Sequence, residues 1–180
     1  MTSPFPGHSA PHAGFEVPLE MLAACHHRVE SQCTTLQRLV AHLATHGCDD
    51  QARVAAAAVL RYFDTAAVNH HADEEIDLFP ALIDAVAGSD ATCIRGLIEA
   101  LKGDHRTLEL QWQRLRPALL MIAAGEPQPL PAGDVMPLVA LYERHMEREE
   151  AELLPMAARL LSDSALDRVG RAMRERRGTD

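Results

Sequence analysis

The stretch of this chain that decides its fold is HHADEEIDLFP at residues 70–80, which returns in altered form as HMEREEAELLP at residues 145–155. Aligned on their prolines, the two copies share the pattern H-x-x-x-E-E-x-(D/E)-L-(F/L)-P. On a helix, side chains four positions apart lie on one face, about one turn from each other. Each copy therefore predicts a histidine and a glutamate that can bind one metal ion together.

The first copy contains two overlapping pairs with this spacing, because His71 and Glu75 are also four residues apart. The second copy resolves the overlap. Its position 146 is Met, so His71 has no counterpart, whereas His70 and Glu74 are matched in both copies. The repeat favours His70 and Glu74 as the metal-binding pair, and it favours a supporting or surface position for His71.

The apolar spacing of both segments turns the selected pairs toward the interior. Each pair lies on a stripe with alternating intervals of four and three residues, the period of a buried helix face. The stripes are Phe63, Ala67, His70, Glu74 and Leu78, and Leu138, Tyr142, His145, Glu149 and Leu153. A buried carboxylate without a partner costs several kcal/mol. Glu74 and Glu149 therefore need strong partners, and metal ions meet that need.

Two further histidines begin comparable stripes. His105 precedes Leu108, Trp112, Leu115 and Leu119, and His26 precedes Val29, Cys33, Leu36 and Val40. His27 is the alternative to His26, but the apolar register turns His27 toward the edge of the helix. Each of four predicted helices thus contributes one inward histidine, and the second and fourth add a glutamate.

Composition limits the class of protein. The chain has 180 residues, enough for one domain with a full core, and its Ala and Leu content with only 4% aromatic residues favours helices. Its net charge of −9 argues against nucleic acid or an anionic membrane as a partner. There is no signal sequence and no apolar run near the roughly 20 residues that span a bilayer, so we expect a soluble cytoplasmic protein. The cysteines lack a C-x-x-C spacing and are expected to be reduced.

Prolines and glycines divide the chain into an irregular N-terminal segment, residues 1–16, and one domain, residues 17–180. The predicted helices run from Pro18 to about His46, from Asp49 or Asp50 to Gly88, from Ser89 or Asp90 to near Gly125, from Asp134 onward, and from Ser162 to the C-terminal end. Pro80 and Pro155 are predicted to bend or break their helices. We therefore predict an all-α fold, an up-down-up-down four-helix bundle with a short C-terminal helix.

The positions of the four inward histidines agree with this topology. Residues that share one layer of two antiparallel helices lie equally far from the turn between them. The midpoints between successive histidines fall at position 48, between 87 and 88, and at 125. The first two lie in predicted turns, and the third lies at the near end of a proline-rich loop. We expect the four histidines to share one layer of the bundle.

The chemistry of the candidate ligands points to two metal ions. The six candidates are His26, His70, Glu74, His105, His145 and Glu149. This set is too large for one tetrahedral zinc ion, and it suits two first-row ions bridged by both glutamates, with two histidines for each ion. A ligand set of imidazole and carboxylate favours iron over magnesium or calcium. The set contains no thiolate, which argues against an iron–sulfur cluster. Manganese, zinc or cobalt could occupy such a site in vitro.

On these residues the chain resembles the hemerythrin-like (HHE cation-binding) domains, over nearly all of its length after residue 16. The resemblance implies a four-helix bundle with two non-haem iron ions. The arrangement is most similar to the bacterial branch that includes the repair-of-iron-centres proteins, in which both bridging glutamates come from H-x-x-x-E pairs. Oxygen-carrying hemerythrins have a second histidine where this chain has Glu109, and an aspartate where it has Glu150. These differences do not favour reversible oxygen storage.

Several functions are consistent with this site. The first is binding or sensing of a small diatomic ligand or peroxide, such as O₂, NO or a peroxide. The second is a di-iron enzyme or iron donor that reduces peroxide or NO or repairs iron centres, and the third is a metal-buffering module. The absence of an appended electron-transfer domain or a cysteine pair near the metals favours the first. The sequence leaves open the oligomeric state and whether Glu30, Glu109 or His71 also binds metal. Glu75 and Glu150 are either supporting partners of ligand histidines or solvated acids.

Overall fold

The computed structural model describes residues 17–86 and 89–179, and for residues 89 and 90 it describes the backbone only. The described part of the chain contains five helices and no β-strand. Helix α1 is Pro18–His46, α2 covers residues 50–85, α3 is Ser89–Ala123, α4 covers residues 132–160 and α5 is Asp163–Arg177. The first four form the predicted bundle, in which each helix packs against the next and α4 packs against α1. The N-terminal segment predicted for residues 1–16 lies outside the described residues.

The helix boundaries follow the predicted signals. Pro18 occupies the first turn of α1, and Gly47 ends that helix with a φ of 73°, a backbone conformation that glycine adopts without steric cost. The carboxylate of Asp49 accepts a hydrogen bond from the backbone N–H of Ala52 and caps α2. Ser162 caps α5 in the same way through the N–H of Ala165.

Of the two outcomes predicted at the repeat prolines, a bend or a break, the break does not occur, because the helices continue through Pro80 and Pro155. Each proline is preceded by a stretch of π-helix, Asp73–Leu78 in α2 and Glu149–Leu153 in α4, after which the α-helix resumes. A proline lacks the N–H that an α-helix requires and clashes with the carbonyl four residues earlier. A π turn bonds to the fifth residue back, so it accommodates the ring without ending the helix.

A buried polar layer divides the hydrophobic core in two. One apolar cluster lies toward the turns at residues 47–49 and 124–131 and includes Leu36, Val59, Leu119 and Leu138. The other lies toward α5 and includes Leu22, Phe79, Leu101 and Leu153, together with Val169 and Met173 of α5. The buried polar residues between them are His26, His70, Asp73, Glu74, His105, His145 and Glu149. None of the described helices is long and apolar enough to cross a membrane.

Candidate metal centre

The structure brings all six sequence-predicted ligands into this buried layer. They fall into two overlapping groups, within each of which one ligand atom per residue lies within 4.8 Å of every other. The first position is surrounded by His26, His70, Glu74 and Glu149, and the second by Glu74, His105, His145 and Glu149. Two ligands of one first-row ion stand at most about 4.4 Å apart, since each lies about 2.0–2.2 Å from the metal. Both groups are close to that spacing.

Each shared carboxylate offers one oxygen to each position. For Glu74, Oε1 lies 3.5 Å from Nε2 of His70 and Oε2 lies 3.3 Å from Nε2 of His105. For Glu149, Oε2 lies 3.1 Å from Nε2 of His26 and Oε1 lies 3.1 Å from Nε2 of His145. With one oxygen directed to each position, Glu74 and Glu149 would each be able to contribute a ligand to both positions.

The atoms that face the two positions lack ordinary partners. Both oxygens of Glu74, both oxygens of Glu149, and Nε2 of His26 and His71 are buried and have no hydrogen-bond partner among residues 17–86 and 89–179. Among the ligand nitrogens, Nε2 of His105 and Nε2 of His145 form one hydrogen bond with each other at 3.1 Å. Buried polar atoms are nearly always hydrogen-bonded in folded proteins. Converging lone pairs of imidazole and carboxylate fit first-row metal ions, so the residues present are suited to metal binding.

The second glutamate of each repeat orients a histidine on a neighbouring helix. Oε1 of Glu75 lies 2.6 Å from Nδ1 of His105, and Oε1 of Glu150 lies 2.9 Å from Nδ1 of His26. A carboxylate at Nδ1 keeps the proton on that nitrogen and leaves Nε2 free to face a metal. Of the two roles considered for these acids, the structure supports that of supporting partners.

The π stretches allow both glutamates of each Glu-Glu pair to contact histidines of the central layer. A π turn contains more residues than an α turn, so consecutive side chains are separated by a smaller angle. Glu74 and Glu75 can therefore contact the same side of the bundle, and Glu149 and Glu150 repeat this arrangement.

Burial and charge set different pKa values for the two shared carboxyls. Burial raises the pKa of Glu74 well above its usual value, and the charge of Glu149 adds to the shift. Burial acts in the same direction on Glu149, but the imidazoles of His145 and His26 outweigh it and hold the pKa of that carboxyl well below its usual value. Burial lowers the pKa of His70, which is therefore neutral, as metal binding requires.

His71 is closer to the centre than the sequence indicated. One of its ring nitrogens lies within 4.8 Å of ligand atoms of both His105 and His145. Its ring stacks on that of His105 with centroids 4.0 Å apart, and burial lowers its pKa well below the usual value. The overlap of His71 and Glu75 at helical spacing was the one sequence signal of this placement.

Other candidates lie away from the centre. His27 is exposed and pairs with Glu30, so the apolar register chose correctly between His26 and His27. Glu109 is exposed and accepts a hydrogen bond from Gln113. The four cysteines are free thiols, and none belongs to the metal-ligand groups found among the described residues.

Sequence reasoning missed Asp73, which is fully buried directly before Glu74. Arg176 and Arg177 of α5 both donate hydrogen bonds to its carboxylate, with Nη2 of Arg177 2.5 Å from Oδ2. Arg176 also donates to Asp77 at 2.6 Å. Helix α5 is thereby tied to the π stretch that carries Glu74. The second repeat has Arg148 in place of Asp73, so the repeat itself did not reveal this contact.

A cavity of about 620 Å³ lies beside His105, one of the residues around the second position. Its lining includes His71, Glu75 and His105 on the side of the centre. Aromatic side chains line it further out, namely Phe63, Trp112 and Tyr142. The cavity is therefore large enough to hold a small molecule next to His105.

The fold and the site define an all-α bundle that carries a buried histidine and carboxylate centre suited to cations. The hemerythrin HHE cation binding domain model matches residues 17–157, a range that includes all six predicted ligands. The chain belongs to this family. It is also similar to an uncharacterized protein of Haemophilus influenzae, with 31% identity over 165 residues and 92% of each chain covered.

Proposed function

We propose that this protein holds two non-haem iron ions and uses them to bind or sense O₂, NO or a peroxide in the cytoplasm. The observation that carries the proposal is the pair of overlapping ligand groups that share Glu74 and Glu149. Iron would supply electrons and open coordination positions for a small ligand. The chain's own residues hold the ions, orient the imidazoles and keep bulk water out of the layer.

The surroundings of the centre support ligand binding. The apolar clusters above and below it give a dry layer, and the cavity beside His105 admits a small molecule from one side. A dry site strengthens the interaction of a charged or polar ligand with the metal pair. The alternative is a role as an iron donor or in the reduction of peroxide. The experiment described next distinguishes this alternative from ligand binding.

The test is metal analysis and ultraviolet–visible spectroscopy of protein produced with iron, first as isolated, then reduced, then exposed to O₂ and to NO. We expect close to two irons per chain and absorption bands that change reversibly with the gas. Irons that oxidise irreversibly, or that turn over added peroxide, would favour the enzymatic alternative.

Matched variants make the result specific to the site. His70→Ala and Glu149→Ala should each lose iron, whereas His46→Ala, which removes an exposed histidine near the end of α1, should retain it. The proposal would be overturned if the wild type held one zinc ion per chain or no metal, and if the metal content of both site variants were the same as that of the wild type.

A further inference from the structure

We propose that α5 couples the surface of the protein to the central layer, with Arg176 and Arg177 holding Asp73 so that the backbone beside it positions Glu74 for metal. Docking of α5 and binding of metal then strengthen each other. Asp73 and the two arginines are positioning residues, since none of them belongs to the metal-ligand groups. The inference rests on the proposed function only in requiring that the central layer binds metal.

The burial of Asp73 is the first argument. Its side chain is 0% exposed, and it directly precedes Glu74 in the π stretch Asp73–Leu78. A buried carboxylate is unfavourable unless cationic hydrogen-bond donors compensate for the lost water. Those donors come from α5, where Nη1 and Nη2 of Arg177 lie 3.0 and 2.5 Å from the two carboxylate oxygens and Arg176 donates a further hydrogen bond. The residue next to Glu74 is therefore fixed by side chains 103 and 104 positions further along the chain.

The second argument is that one guanidinium contacts two residues of the π stretch. Arg176 donates to Asp73 and also to Oδ2 of Asp77, at 2.6 Å. These two acids stand on either side of Glu74 and Glu75 in the chain. A π turn is an uncommon conformation, and the planar fork of an arginine side chain restricts the geometry of the groups that it pairs with. Arg176 therefore constrains the segment that presents both glutamates of the first repeat.

The contrast with the second repeat is the third argument. The position that corresponds to Asp73 is Arg148, whose side chain is 38% exposed and donates to Asp104 on α3 at 3.2 Å. The residue before Glu149 is thus held by a helix of the bundle, whereas the residue before Glu74 is held by α5. Helix α5 also lies outside residues 17–157, the range that matches the family model. The placement of one shared carboxylate therefore depends on a part of the chain beyond the matched domain.

Helix α5 is held on the bundle by one apolar face as well as by its arginines. Val169 and Met173 are buried in the cluster that includes Leu22 and Phe79. Because metal binding needs Glu74 in place, and α5 helps to place it, the docked and undocked forms of α5 differ in metal affinity. Thermodynamic linkage then requires that metal strengthens docking by the same factor by which docking strengthens metal binding. A change of metal occupancy in the buried layer is thereby transmitted to a helix at the surface.

The experiment measures iron(II) affinity by anaerobic isothermal titration of full-length variants, after circular dichroism has shown that each one folds. The variants are Arg176→Ala with Arg177→Ala, Asp73→Ala, and all three substitutions together. The matched control is Arg171→Ala with Arg174→Ala, which removes the same charge from the same helix at residues without a hydrogen bond to Asp73.

We expect the double arginine variant and Asp73→Ala each to bind iron(II) about 10–100-fold more weakly, as is typical for loss of a supporting partner. The triple variant should be no weaker than either, because all three residues act through one contact. The control should bind like the wild type. Removal of two positive charges by itself favours a cation, so a fall in affinity has the opposite sign to a simple charge effect. Unchanged or tighter binding in the double arginine variant would overturn the inference.

Hydrogen exchange of the wild type gives a second test that needs no variant. Metal should slow the exchange of α5 amides by the same factor, about 10–100-fold. The amides of residues 50–56, at the other end of the bundle, are the internal reference and should slow less. If α5 slows no more than this reference, the inference fails while the proposed function stands. A wild type that binds no metal would remove the proposed function itself.

Discussion

Glu150 of α4 places its carboxylate 2.9 Å from Nδ1 of His26 on α1, although the two residues are 124 positions apart. The pair mirrors Glu75 and His105, whose atoms lie 2.6 Å apart. In each case the glutamate that follows a shared carboxylate orients a histidine on a neighbouring helix. The Glu-Glu dipeptide of each repeat therefore has two tasks, one for each side chain.

The first prediction concerns this orienting contact. Glu150→Ala removes the acceptor at Nδ1 of His26, so the imidazole can take the wrong tautomer and the affinity for the ion at the first position should fall about 10–100-fold. Isothermal titration with a divalent metal measures the change. Glu150→Gln keeps an acceptor oxygen and should restore part of the affinity. Glu152→Ala, which removes an exposed acid of the same helix, should bind like the wild type, and an equal loss in that control would contradict the assignment.

The second prediction concerns the shared carboxylates. In Glu74→Gln the glutamine has nearly the same shape as glutamate but lacks the charge with which Glu74 would bridge the two proposed ions, so the variant should hold at most one ion per chain. Metal-to-protein ratios by elemental analysis test this. The metal-free variant should unfold at or above the temperature of the metal-free wild type, because the substitution removes a fully buried ionisable group. Retention of two ions would exclude a bridging role for Glu74.

The third prediction concerns metal removal. Bound metal would give partners to buried nitrogens and oxygens of the central layer that have none among the described residues, so its binding energy should add directly to folding stability. Metal at about 100 times its dissociation constant should stabilise the fold by roughly 2.7 kcal/mol, which corresponds to a rise on the order of 5–10 °C in melting temperature. Calorimetry before and after chelation measures the shift. Glu149→Ala should show no such response, and a metal-dependent rise in that variant would place the binding elsewhere.

The fourth prediction concerns the tie between α5 and the centre. Replacing Arg176 and Arg177 together by Ala leaves Asp73 as a buried carboxylate without its cationic partners. The free energy of unfolding should fall by about 3–5 kcal/mol. Urea denaturation of the metal-free protein measures this loss.

A third substitution in the same background separates pairing from packing. Adding Asp73→Ala to the double arginine variant removes the unpaired charge and should restore part of the lost stability. Arg174→Ala, a change on the same helix at a residue without an ion pair to Asp73, serves as the control and should alter stability by less than about 0.5 kcal/mol. Failure of Asp73→Ala to restore any stability would show that the arginines act through packing alone.

Much of the fold was predictable because its signals are local. Pro18, Gly47, Asp49 and Ser162 begin or end helices through backbone geometry and capping that depend on a few neighbouring residues. The period of the apolar stripes was enough to predict that His26 and His105 face the interior. The prolines were the exception. Their spacing predicted a bend or a break, whereas in both repeats a π stretch precedes the proline and the helix continues.

The sequence by itself determined the bundle, the buried layer and the six candidate ligands, because helical period and a repeated motif constrain which faces turn inward. Only the tertiary structure decided what lies between helices. It assigned Glu75 to His105 and Glu150 to His26, brought Asp73 to the arginines of α5, and turned His71 inward while His27 stayed outside. Such choices depend on the rotation and spacing of whole helices against one another, to which residues from every part of the chain contribute.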